Sequence, residues 1–242
     1  MAARVRLGML TPSSNTVLEP VTYQMLAGLP DVTAHFSRFP VTEIGLSAAA
    51  LGQFDDSHIL RAAELLAHAK VDVIAWNGTS ASWIGFEADE VLCERITAAT
   101  GIPACTTVLA YRDIFRLLNA RRVGLVTPYT GDVQVRIQSN WGASGFACDA
   151  ERHLGLSDNF SFATVEPETI GQMIRAVVAE GCDAVAVVCT NMDGARISAT
   201  LEAELAIPVL DSVAVTLWAC LRTAGLDTTR VEGWGHLFRR AQ

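Results

Sequence analysis

The chain repeats itself. Leu7-Gly-Met-Leu-Thr-Pro-Ser13 is echoed by Val123-Gly-Leu-Val-Thr-Pro-Tyr129, and Val71-Asp-Val-Ile-Ala-Trp-Asn-Gly-Thr79 by Cys182-Asp-Ala-Val-Ala-Val-Val-Cys-Thr190. Gly101-Ile-Pro103 is echoed by Ala206-Ile-Pro208. Any one match is short enough to arise by chance, but three in the same order describe a duplicated unit. The 242 residues therefore divide into an N-terminal half over 1–118 and a C-terminal half over 119–242.

Within each half, short apolar runs alternate with longer amphipathic stretches. Strands are expected over 4–10, 32–37, 71–76 and 103–107, with helices over 15–29, 51–69, 86–100 and 108–118. The order then begins again. Strands fall over 122–126, 146–150, 184–188 and 209–210, and helices over 131–138 (at least), 167–180, 194–204 and 212–224. Gly101 is a natural helix stop, and Ser13, Ser14 or Asn15 can cap the first helix. Strand–helix alternation predicts parallel sheets joined by right-handed crossovers. The expected fold is α/β, with two pseudo-symmetric Rossmann-like (flavodoxin-like) halves. The helix over 212–224 is free to pack back on the first half.

In such sheets ligands gather at the carboxyl ends of the strands, where helix N-termini point. The repeat places the turn at Gly78-Thr79 and the turn at Cys189-Thr190 in equivalent positions. Facing each other across a pseudo-twofold cleft, they would enclose a substrate from both sides. Only one side carries a thiol, because the residue that matches Cys189 is Gly78.

Other classes of function find no support. The net charge is -8, which does not suit a nucleic-acid binder. No apolar run has the roughly 18–20 residues of a membrane span. The opening Met1-Ala-Ala-Arg-Val-Arg-Leu-Gly8 lacks the apolar stretch of a signal peptide, so the expected compartment is the cytoplasm. The six cysteines include no Cys-x-x-Cys pair, and the five histidines are dispersed, so no metal site is expected. Cys93, Cys105, Cys148, Cys182 and Cys220 read as structural residues. No Walker loop or Gly-x-Gly-x-x-Gly follows a strand, and the single lysine, Lys70, does not suggest a Schiff base. No cofactor is expected. The expected partner is a small carboxylate substrate, with a homo-oligomer possible and no nucleic acid or membrane.

These residues resemble the aspartate/glutamate racemase superfamily over nearly the whole chain. Thr11-Pro-Ser-Ser-Asn-Thr16 looks like the opening motif of maleate cis-trans isomerases. Asn77-Gly-Thr-Ser80 and Gly233-Trp-Gly-His-Leu-Phe238 look like arylmalonate decarboxylases. The superfamily is cofactor-independent. Its racemases use one cysteine from each half, and maleate isomerases carry both. Arylmalonate decarboxylases keep only the second, with glycine at the first position, as Gly78 and Cys189 do here.

The resemblance implies roles residue by residue. Cys189 would be the acid/base or nucleophile, with Thr190 beside it. Thr79 and Ser80 would donate to a substrate carboxylate, and Tyr129 to the same or a second oxygen. Asn15 and Asn159 match carboxylate ligands of the isomerases. Apart from the resemblance, Trp76 and Trp83 read as packing or pocket-wall residues, a wall of Trp76, Trp83 or Phe86 would suit an apolar or aromatic group, and His236 reads as structural or exposed. A helix N-terminus near Asp193-Gly194 would lower the Cys189 pKa, and adjacent anions would raise it.

A desolvated carboxylate needs several donors, and hydroxyls supply them without adding net charge. The same donors stabilise the enediolate formed when a malonate loses carbon dioxide. The first expectation is therefore cofactor-independent decarboxylation of a substituted malonate or similar small dicarboxylate, with one thiol protonating the intermediate. The alternatives are a maleate-type cis-trans isomerase and a racemase-fold carboxylate-binding protein.

Overall fold

In the computed structural model, which describes residues 4–239, strands and helices alternate from end to end. The first sheet contains β1 (Val5–Pro12), β2 (Val32–Phe39), β3 (Val73–Trp76) and β4 (Ala104–Thr106). The second contains β5 (Val123–Thr127), β6 (Glu151–His153), β7 (Ala184–Val187) and β8 (Val209–Asp211). Both are four-stranded, and their orders are the same: β2-β1-β3-β4 and β6-β5-β7-β8. Every pairing within them is parallel. The duplication in sequence is thus a duplication of topology.

The central strands explain themselves. All four residues of β3 (Val-Ile-Ala-Trp) and of β7 (Ala-Val-Ala-Val) are buried. A continuous apolar run is what a parallel strand needs when helices cover both of its faces. The repeat also keeps a glycine in each first strand, for the same reason of close approach. A Cβ on Gly8 would meet Val71 Cγ2 at 2.9 Å and the Val73 carbonyl at 3.1 Å. On Gly124 it would meet Val177 Cγ2 at 2.8 Å and Cys182 Sγ at 3.0 Å.

The helices are α1 (Leu18–Met25), α2 (Ala48–Gly52), α3 (Asp56–His68), α4 (Ala81–Ile84), α5 (Phe86–Thr100), α6 (Thr107–Leu118), α7 (Gly131–Ala143), α8 (Pro167–Ala179), α9 (Ala195–Leu205) and α10 (Ser212–Thr223). Three expectations need correction. The helix over 51–69 is two helices, because Ser47 caps α2 and Asp55 caps α3 by accepting from the Ser57 N–H. Two capping side chains so close together outweigh the shared apolar periodicity. The strand over 146–150 is continuous only later, as β6, while Ala147 makes an isolated parallel bridge to Arg122 and the Ala150 carbonyl accepts from the Leu125 N–H at 2.9 Å. The first helix covers only residues 18–25 of the expected 15–29.

The halves exchange support. Helix α10, from the second half, packs on α6, β3, β4 and α1 of the first. Thr107 and Thr216 join across this contact, hydroxyl to hydroxyl, at 2.6 Å. In return, the Tyr111 hydroxyl on α6 reaches the Val187 carbonyl at 2.8 Å, the Leu210 carbonyl at 3.1 Å and Ser212 Oγ at 3.0 Å. Buried polar links of this kind fix one relative placement of the halves, because a shifted placement would leave their donors unpaired. Among the described residues no helix is long and apolar enough to cross a membrane, and no group of three or more His, Cys, Asp or Glu is placed to hold a metal ion.

Candidate active site

Strands β3 and β7 end side by side in function though not in sheet: the turn after each lines one cavity. Gly78, Thr79 and Ser80 come from the first turn, Cys189 and Thr190 from the second. Tyr129, just beyond β5, and Asn159 complete the polar side. Val41, Ile44, Phe54, Trp76 and Trp83 form the apolar side, with Pro12 at the end of β1. None of these lining residues is Lys, Arg or His.

The polar side chains are bonded across the two halves. Thr79 Oγ1 and the Tyr129 hydroxyl lie 2.6 Å apart. Thr190 Oγ1 donates to the Asn77 carbonyl (3.1 Å) and accepts from Asn15 Nδ2 (3.0 Å). Asn15 Oδ1 accepts the N–H groups of Val17 (3.0 Å) and Leu18 (2.9 Å), which orients α1. Asn15 therefore stands one residue behind the cavity wall and touches it through Thr190. The expected direct carboxylate ligand is, in this arrangement, the residue that aims Thr190. Phe86 also departs from expectation: it stacks on Trp141 at 6.5 Å and does not line the cavity.

Cys189 is 2% exposed. Its backbone N–H donates to Ser212 Oγ at 3.0 Å, and its sulfur accepts the Asn191 N–H at 3.4 Å. Burial pushes its thiol pKa up to about 12, opposed in part by the Asn191 N–H and the Tyr129 hydroxyl, while Asp211 adds to the rise. A helix does start where expected and an adjacent anion, Asp211, raises the pKa as expected, but the net shift is upward and not downward. Gly194 is the N-cap of α9 and Ala195 its first residue, but desolvation of the thiolate outweighs the nearby donors. Cys189 is accordingly a protonated thiol at neutral pH.

A roof closes the cavity. The segment after β2 and the matching segment after β6 run antiparallel through the bridge between Glu43 and Asp158. The Ile44 N–H donates to the Ser157 carbonyl (2.8 Å) and the Asn159 N–H to the Thr42 carbonyl (2.9 Å). Asn159 Nδ2 donates to Ser14 Oγ at 2.7 Å, and Asn191 Nδ2 to the Asn159 carbonyl at 2.6 Å. The free volume beneath is about 20 Å³, roughly what one water needs.

Several residues here escaped the sequence reading. Phe54 sits in the break between α2 and α3, and Val41 and Ile44 in the roof segment; neither stretch carries a repeat match. Ser212 holds the Cys189 turn and carries no signal beyond being a polar residue near a strand end, while Asn191, in the Thr-Asn turn that already pointed to Cys189, holds it from the other side. His236 meets its expectation: its side chain is 47% exposed, and its backbone N–H donates to buried Glu202.

Comparison with known proteins places these features in context. The profile of the arylmalonate decarboxylase family matches residues 16–238. A maleate isomerase of Geobacillus stearothermophilus is 26% identical over 94% of this chain and 95% of its own. The arylmalonate decarboxylase of Bordetella bronchiseptica is 25% identical over 98% of each chain. Among solved structures, a cysteine-to-alanine variant of the maleate isomerase Iso from Pseudomonas putida S16, with maleate, superposes with a TM-score of 0.89 at 28% identity, covering 97% of both chains.

Proposed function

This chain belongs to the arylmalonate decarboxylase family, and from that premise we propose that it is a cofactor-independent decarboxylase of an α-substituted malonate, with Cys189 as the proton donor. The observation that carries this reading is the lone thiol: Cys189 lines the cavity on one side, and the equivalent position on the other is Gly78.

The cavity's two sides suit the two fates of a malonate's carboxylates. The hydroxyls of Thr79, Ser80 and Tyr129 can hold the carboxylate that stays. They remain bonded to it as it gains charge and becomes an enediolate, which is where preorganised donors contribute most to rate. The carboxylate that leaves lies against Val41, Ile44, Phe54 and Trp76, which offer it no hydrogen bond. An unsolvated carboxylate is high in free energy, and it loses that penalty on becoming neutral carbon dioxide. The C–C bond electrons pass to the α-carbon and are delocalised into the remaining carboxylate. The Cys189 thiol then gives its proton to that carbon, and the thiolate regains one from water. Because the thiol approaches from one side only, a single enantiomer forms.

The raised pKa fits a proton donor better than a nucleophile. A thiol held near 12 carries its proton throughout the neutral range. A nucleophilic cysteine works as the thiolate, which burial disfavours.

A second reading is maleate-type cis-trans isomerisation, favoured by the close superposition on the maleate-bound isomerase structure. One experiment separates the two. The protein is incubated in deuterated water with maleate and an α-aryl-α-methylmalonate, beside Cys189→Ala, and followed by proton NMR. A deuterated monoacid of one handedness, absent with the variant, is the expected result. Fumarate in place of the monoacid would favour isomerisation. No change in either substrate would count against both.

A further inference from the structure

Gly78 stands where the resemblance puts the first of two cysteines, and the tertiary structure supplies a steric reason for the glycine. A Cβ built on position 78 would overlap Cζ2, Cε2 and Cη2 of Trp76, the six-membered ring of the indole. Overlap is cheap when the neighbour is the end of a mobile side chain, and Trp76 is not one. It is 1% exposed and packs against Phe39 at 5.1 Å and Phe54 at 6.5 Å between ring centroids. Phe54 is itself braced by Trp83 at 6.0 Å. Close-packed interiors do not yield a ring's width without loss elsewhere.

We infer that Trp76 is a specificity-determining residue: its indole occupies the volume from which a side chain at position 78 would act, and so holds the cleft to chemistry from the Cys189 side alone. The one-sidedness is then a property of two residues. Restoring a cysteine at 78 is not enough to make the cleft two-sided; the indole must be reduced as well. The steric part of this inference stands on the packing, while its catalytic consequence rests on the decarboxylase reading above.

The test uses four proteins: wild type, Gly78→Cys, Trp76→Val and the double variant. Two thiols facing one carbon can racemise the product acid, one thiolate taking the α-hydrogen as the opposite thiol delivers its own to the carbanion. Three readouts are taken, namely the melting temperature, the enantiomeric composition of the monoacid and deuterium uptake at its α-carbon. Gly78→Cys should melt below wild type, and Trp76→Val should do so through the cavity it leaves. The double variant should melt above the sum of the two losses, and racemise the monoacid at least tenfold faster than Gly78→Cys alone.

Additive losses in melting temperature would overturn the inference whatever the activities. Equal racemisation by Gly78→Cys and by the double variant would overturn it too. If Gly78→Cys does not accumulate as folded protein, Gly78→Ala in the two backgrounds replaces it, since alanine adds only the overlapping Cβ. Coupled melting in a set where even wild type leaves the malonate unchanged would support the steric assignment and remove the decarboxylase reading instead.

Discussion

Thr79 Oγ1 and the Tyr129 hydroxyl, one from each half of the chain, meet across the cleft at 2.6 Å. On the function proposed above, the bond is between two groups that the substrate carboxylate would claim. In the closed protein they satisfy each other, which avoids burying two unpaired hydroxyls at roughly 1–3 kcal/mol apiece. On the proposed function, both would turn to the oxygen of an entering substrate.

Removing either hydroxyl should therefore reduce turnover, and removing both should cost less than the sum. Tyr129→Phe is expected to lower kcat/KM by about 100- to 1000-fold, the range for one oxyanion donor. Thr79→Val should act in the same direction. A double-mutant cycle on kcat/KM is the check, because members of one network couple and independent residues add. Strict additivity would show that the two hydroxyls serve different parts of the substrate.

The thiol should be slow to react with electrophiles. Burial pushes Cys189 up to about 12, so its thiolate fraction rises about tenfold for each pH unit between 8 and 11. Peptide mapping after iodoacetamide treatment should show Cys189 labelling that climbs with pH across that interval. A plateau beginning near pH 8.5 would mean an unperturbed thiol, and a weaker case for Cys189 as a proton donor.

Asp211 predicts a pH dependence of stability. Burial raises its carboxyl from 3.8 to about 8. An unfolded chain releases this proton near pH 4, whereas the folded protein holds it until about pH 8. The stabilisation is thus complete below about pH 4 and is lost as pH rises to 8, by roughly 1.4 kcal/mol per unit at most. Asp211 Oδ1 caps α10 by accepting from Val213 (2.8 Å) and Ala214 (3.3 Å). Asp211→Asn can keep that cap and does not titrate. Its melting temperature relative to wild type should rise between pH 4 and 8, and a constant difference would contradict the assignment.

Opening of the roof should be required for turnover, since about 20 Å³ admits no dicarboxylate. Glu43 and Asp158 are exposed partners of one antiparallel bridge, which brings their Cα atoms within the span of a disulfide. A Glu43→Cys/Asp158→Cys variant should lose at least tenfold in activity when oxidised and recover with reductant. Undiminished activity in the cross-linked form would show that substrate enters elsewhere.

Much of this was legible before any coordinates. Three ordered matches located both parallel sheets and the two turns that line one cavity, while the strand order came from the structure. They also exposed the asymmetry between Gly78 and Cys189. What escaped has a local explanation in each case. Apolar periodicity over 51–69 cannot reveal that Ser47 and Asp55 each start a helix, so Phe54 looked like a helix residue when it is a wall. The stretch over 146–150 does bond to the β5 segment through Ala147 and Ala150, but the continuous ladder is made by the three residues that follow it.

The sequence by itself determined the duplicated α/β architecture, because apolar periodicity and strand-end turns are properties of neighbouring residues. It also determined which residue types stand at the cleft. Only the tertiary structure decided what those residues can do. That Cys189 keeps its proton follows from how completely its surroundings exclude water. That Asn15 aims Thr190 instead of lining the cavity follows from a hydrogen bond across 175 positions. That a side chain at position 78 would collide with Trp76 follows from Phe39 and Phe54 holding that indole in place. Desolvation, long-range pairing and steric exclusion depend on distances between parts of the chain that the order of residues does not record.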